Sequence, residues 1–245
     1  MSKKSYIAAV LISAGFAACN RGPVFNVEGE ISGAEGKMLY IEHSSIEGVV
    51  GLDSTKLSGD GRYHFSEARP EAPDFYRLRV DDRIINFVVD STETVNISSD
   101  YNTFSSGYSV TGSESNVKIK ELSLLQADLQ AKVNELNKSG MPAGLAQDSL
   151  FRMIESYKND VKRNYIYKEP DKASSYFALF QQLNGFMIFN PLSNKEDVKC
   201  FAAVATSLNH NYPHADRSRN LYNMVIKGMK NTRAPQTKPL EISED

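Results

Sequence analysis

Gly112 divides the chain between two incompatible hydrophobic periods, and that change decides what it can fold into. Before it, apolar residues recur at every second position. Phe25, Val27, Gly29 and Ile31 share one parity, and Asn26, Glu28 and Glu30 take the other. Successive strand side chains point to opposite faces, so this pattern predicts half-buried strands. Further runs follow at 37–43, 49–57, 62–66, 76–80, 85–89, 95–97 and 108–110. Ser58-Gly59-Asp60-Gly61 reads as a hairpin turn, and Asp81-Asp82 and Asp90 to Glu93 as further turns. Eight short strands at close spacing predict an antiparallel β-sandwich or barrel over residues 25–112.

After Gly112 the period lengthens to three or four. Ile119, Leu122, Leu125, Leu129, Val133 and Leu136 make one helical stripe, with Ser113 as N-cap. Leu150, Ile154, Tyr157, Val161 and Tyr165 make a second, stopped by Pro170. A third helix is expected from Asp171 through Phe177, Phe180 and Leu183 to Pro191. Ser193 to Glu196 reads as a capping box for a fourth, carrying Val198, Phe201, Ala205 and Leu208. Leu221, Val225 and Met229 mark a fifth. The fold class expected is therefore α+β, with a β domain at 25–112, a helical domain of about five helices at 113–233, and at 234–245 a linker or the start of a further domain.

The first nineteen residues belong to neither domain. Lys3 and Lys4 precede an apolar run from Tyr6 to Phe16 that is too short to span a bilayer, and Ala17-Ala18 follow it. Residues 1–18 therefore read as a secretory signal. Phe16-Ala17-Ala18-Cys19 resembles the lipobox of bacterial lipoproteins, with Phe16 where that motif usually has Leu. The resemblance implies cleavage before Cys19, lipidation of its thiol and a soluble body held on the membrane by acyl chains. An ordinary signal peptide with an incidental cysteine is the alternative. Residues 19–24 would form a tether. Residue 20 is Asn rather than Asp, which in that family points to the outer membrane, facing the periplasm.

Charge and cysteine content restrict the chemistry. Without residues 1–18 the chain has 26 basic and 30 acidic groups, too mild a balance for nucleic-acid binding. Residues 19–112 carry 8 basic and 15 acidic groups, and 113–233 carry 17 and 12. Two complementary faces that dock on each other account for this split, and a basic helical surface for an acidic partner is the other reading. With two cysteines and no tryptophan, the 245 residues hold no Cys-x-x-Cys for thiol exchange and no multi-cysteine metal set. Once Cys19 is set aside, Cys200 is the remaining thiol. It stands roughly 130° from the stripe of its helix at 100° per residue and reads as a small apolar filler. His210, His214 and Asp216 could be metal ligands only if a loop folded them together, since Pro213 breaks a helix there. Ser115 to Lys118 and Lys138-Ser139-Gly140 match fragments of penicillin-recognising motifs but lack the third element. No catalytic, cofactor-binding or metal-binding residue is assigned, and no cofactor is expected.

Several segments together carry a wider resemblance. They are Phe25 to Ile31, Gly36 to Glu42, Leu52 to Thr55, Gly59 to Phe65, Phe75 to Leu78, and Thr111 to Glu114. With the lipobox, they resemble the N-terminal region of Bacteroidota lipoproteins that carry a C-terminal thioredoxin-like domain of the alkyl hydroperoxide reductase/thiol-specific antioxidant type. In that family the N-terminal domain has no assigned function. The resemblance implies a non-catalytic, lipid-anchored module whose partners are the membrane and a redox domain or other periplasmic protein. A stand-alone ligand- or protein-binding lipoprotein is the second reading, and a hydrolase with carboxylates placed only by the fold is the third.

Overall fold

The computed structural model describes residues 22–233. Cys19 and the segments 1–18 and 234–245, for which a signal, a lipid site and a linker are expected, lie outside the described residues.

Eight strands build two four-stranded sheets: β1 (Val24–Ser32), β2 (Met38–Ser44), β3 (Val49–Lys56), β4 (Arg62–Ala68), β5 (Asp74–Val80), β6 (Arg83–Val89), β7 (Thr94–Asp100) and β8 (Ser109–Thr111). One sheet has the order β4-β1-β7-β8 and the other β3-β2-β5-β6, so the domain is an open sandwich and not a barrel. The alternation drives this. Phe25, Val27, Ile31, Leu39, Ile41, Leu78, Ile85, Phe87, Val95 and Ile97 are all buried between the sheets. The turn at 58–61 forms, with Gly61 N–H donating to Ser58 O at 2.9 Å, but it is no hairpin. It carries the chain from β3 in one sheet to β4 in the other. One pair also departs from the antiparallel expectation, because β1 lies antiparallel to β4 and parallel to β7.

Gly112 makes the transition to helix. It sits at φ +85, and a Cβ there would stand 2.3 Å from Thr94 O, so both the turn and the close approach require glycine. Five helices follow: α1 (Glu114–Lys138), α2 (Ala143–Val161), α3 (Ala173–Leu179), α4 (Lys195–Asn211) and α5 (Asp216–Asn231). Most stripe positions are buried, but Leu125 of α1 and Met229 of α5 are exposed. A wide π-helical turn, Lys162–Ile166, extends α2.

The third helix is shorter than its apolar spacing suggests and ends at Leu179. A two-residue hairpin replaces its second half, β9 (Gln182–Leu183) with β10 (Phe186–Met187). Asn184 and Gly185 between them have φ 51 and 81, the positive values of a tight hairpin turn. Two caps also differ from expectation. Lys172, not Asp171, precedes α3. At α4 the cap is Asn194 rather than Ser193, and its side chain accepts from the N–H groups of Glu196 and Asp197.

Two cores result. One fills the sandwich, and the other lies among the helices and takes in Phe75 and Val88 from the outer face of the second sheet. Phe75 and Tyr76 are chain neighbours that serve different cores, as strand alternation requires. The seam between sheet and helices is also closed by hydrogen bonds. Asn116 on α1 accepts from Val88 N–H at 2.7 Å and donates to Val88 O at 2.8 Å. Its carboxamide thus completes the edge of β6 as a neighbouring strand would.

Candidate functional site

The outer face of β6 and the helices do not close fully on each other. Two adjoining hollows remain, of about 510 and 370 Å³, and both are lined by Asn86, Phe177 and Phe180. The larger runs between Ile84, Ser105, Tyr108 and α1 residues Ser123 and Gln126. The smaller runs from Phe75 to the β2–β3 turn at Ser44 to Ile46 and to Arg217. Together they form one groove along the sheet–helix seam.

Alternation along β6 explains the opening. Val88 N–H is taken by Asn116, and Ile84 N–H by Ser105 Oγ at 3.1 Å. Both therefore point away from β5. Asn86 lies midway between them with the same parity and is exposed, so the middle of this sheet edge faces the groove.

The walls are aromatic. Phe75 stacks on Phe177 at 6.3 Å and tilts against Tyr176 at 5.5 Å, and Tyr176 meets Phe180 at 4.7 Å. Arg217 of α5 lies with its guanidinium carbon 4.7 Å from the Phe75 ring centre. Its Nε donates to Asp74 Oδ1 at 2.7 Å, and its Nη2 donates to Ser44 O. The other Asp74 oxygen is 2.7 Å from His43 Nε2. This ion cluster joins β2, β5 and α5 at the rim. Burial raises the hydroxyl of Tyr176, with Arg217 pulling the other way. Burial likewise pushes Tyr108 up to about 12, against a hydrogen bond to Ser123. Both phenols are therefore neutral near pH 7, and the Tyr176 oxygen accepts from Arg217 Nη1 at 3.5 Å. The other polar groups lining the groove are mostly the amides of Gln126, Gln181, Gln182 and Asn86 and the hydroxyls of Ser105, Ser106 and Ser123. Such a lining offers ring faces and neutral hydrogen-bonding groups to a bound molecule.

The residues weighed in the sequence lie elsewhere. Cys200 is fully buried on α4, with Sγ 3.3 Å from the Tyr167 hydroxyl, and burial raises its thiol further. It is a filler on a second packed side of the helix. His210 lies in the last turn of α4 and is exposed, and His214 is exposed in the loop after it. Among the described residues no three His, Cys, Asp or Glu converge as a metal site. Ser115 is bonded to Asp90 at 2.8 Å, Lys118 to Glu169, and Ser139 to Leu136 O at the end of α1, so the motif fragments are parts of the scaffold. Among the described residues no helix is long and apolar enough to cross a membrane.

Among the described residues, the complementary-charge reading meets the structure at one ion pair, Asp74–Arg217. Nothing in the local pattern marked Arg217, His43 or Asp74, because their association arises only when α5 packs on the sheet.

Among solved structures, the 5-hydroxyisourate hydrolase of Klebsiella pneumoniae is similar over 38% of this chain and 100% of its own, at 13% identity. The TM-score is 0.25, so that likeness carries no argument about fold or activity. No curated protein matches the sequence. Residues 25–119, which span the sandwich and the opening of α1 with the Asn116 stitch, match the family model of a domain of unknown function, DUF4369.

Proposed function

We propose that this chain is a non-catalytic, lipid-anchored module of the cell envelope that binds or positions a partner along the sheet–helix groove. The observation that carries this reading is the groove itself, with aromatic walls, neutral amides and an open stretch of β6 edge at Asn86. A thioredoxin-like redox domain is the partner in view. That choice rests on the sequence resemblance, as do lipidation at Cys19 and attachment to the outer membrane.

The test uses the full chain. Intact mass should show a diacylglyceryl group lost in Cys19→Ser. Titration with a thioredoxin-fold domain should shift the amide resonances of Asn86, Gln126 and Phe177 and leave those on β4 unmoved. A chain that reduces insulin unaided, or shifts that avoid the groove, would overturn the reading. Shifts at the same amides with a small apolar ligand but not with the redox domain would favour a stand-alone ligand-binding lipoprotein.

A further inference from the structure

The beginning of α4 and the end of α5 enclose a cavity of about 640 Å³ that shares no lining residue with the sheet–helix groove. Its floor is Val198, Ile226 and Met229. Met229 continues the apolar stripe of α5, yet it is 56% exposed. The rim is basic, with Lys195 and Lys199 on one wall and Lys230 and Arg233 on the other. Glu196 pairs with Lys199 at 2.8 Å. Among the described residues, Lys195, Lys230 and Arg233 have no carboxylate partner, so positive charge predominates.

The walls are fixed in advance. A Cβ at Gly228 would lie 2.5 Å from Pro191 O and 2.9 Å from Val198 Cγ2, so α5 approaches α4 as closely as glycine allows. Asn194 caps α4 at the cavity's edge. Asp197, one turn in, is held by Lys158 and by Asn190 N–H, each at 2.8 Å. A ligand would therefore meet an ordered site and lose little to reorganisation.

We propose that this cavity docks an acidic peptide segment of a partner protein, with apolar side chains seated on Met229 and Ile226 and carboxylates meeting the rim. Lys195 and Lys199 stand at i,i+4 on α4, while Lys230 lies in the last turn of α5 and Arg233 just past its end, so separate positive charges are spread along both walls. Several separated carboxylates match that distribution better than one headgroup does. The recess also takes an inserted side chain, whereas a bilayer surface needs a flat or convex face. The basic excess of the helical half thus has a specific location.

The probe is a fluorescein-labelled synthetic peptide of repeated Leu-Leu-Glu-Glu units, titrated into the full chain carrying Cys19→Ser. Saturable, salt-weakened binding is expected. The double reversal Lys195→Glu with Lys230→Glu should weaken it at least about tenfold, as should Met229→Gln, while Lys120→Glu on α1 should not. Circular dichroism establishes that each variant is folded. Absence of binding, or equal affinity in the double reversal, would overturn the proposal. Charge-dependent binding to phosphatidylglycerol vesicles that the peptide cannot displace would assign the cavity to a membrane instead. A large gain in peptide affinity on deleting residues 234–245 would assign it to the chain's own acidic end, overturning the external partner.

Discussion

The Arg217 side chain donates from Nε to the Asp74 carboxylate at 2.7 Å, across 143 residues of chain. It is the ionic link between the last helix and the second sheet. Arg217 is the less exposed partner, at 15%, and it also covers Phe75 and Tyr176. Arg217→Ala should lower unfolding free energy by about 2–3 kcal/mol through the lost charged hydrogen bonds and ring contact. Arg217→Lys should recover only part of it, since lysine cannot reach Asp74 and Ser44 O at once. Urea unfolding measures both, and equal midpoints for all three proteins would refute the link.

The Asn116 stitch makes a sharper prediction. Asn116→Ala leaves both backbone groups of buried Val88 without partners, at a cost of about 1–3 kcal/mol. Asn116→Asp keeps the acceptor but turns an oxygen toward Val88 O, and should be worse than alanine. Hydrogen exchange at the Val88 amide should speed up in both. Unchanged protection there would mean that the strand edge does not depend on the side chain.

Lys158 and Asp197 are both nearly fully buried, with Nζ 2.6 Å from Oδ1. Removing one partner strands a charge in the helical core, so Lys158→Met or Asp197→Asn should each cost about 3–5 kcal/mol. Replacing both with apolar residues should cost less than either alone. A double-mutant cycle in urea decides this, and strict additivity would show that the two charges are uncoupled.

Acid sensitivity should trace to Glu42. Burial pushes its carboxyl up, but hydrogen bonds from Arg77 and Arg79 outweigh burial and hold it below the usual glutamate value. A depressed folded-state value gives stability that is fully present above the unfolded pKa, about 4.3, and is lost as pH falls through the folded value. Glu42→Gln should therefore lower stability at pH 7 and flatten its decline toward pH 3. Urea midpoints at several pH values would show parallel curves if Glu42 contributed nothing.

Much of this architecture is legible in the sequence because strands and helices were marked by period. Phe25, Val27 and Ile31 on one parity fixed the inner face of β1, and Val198, Phe201, Ala205 and Leu208 fixed that of α4. The third helix misled because Phe177, Phe180 and Leu183 are three apart, which suits a helix. Asn184-Gly185 was the signal against it, since that dipeptide favours the positive φ of a hairpin turn. The groove was not legible. Asn86 reads as an ordinary polar strand residue, and its role follows from which strands end up at the edge of each sheet. The ion cluster at Asp74 is non-local in the same way.

The parallel contact of β1 with β7 bears on how the polypeptide is made. Val27 finds its neighbour Val95 only after some seventy further residues have been synthesised. Loops that long are slow to close, so the β4-β1-β7-β8 sheet should be completed late, after the local β2–β3 and β5–β6 hairpins of the other sheet. A ribosome stalled before Asp100 would hold an opening strand with one side bare, the state in which chaperones would be needed most.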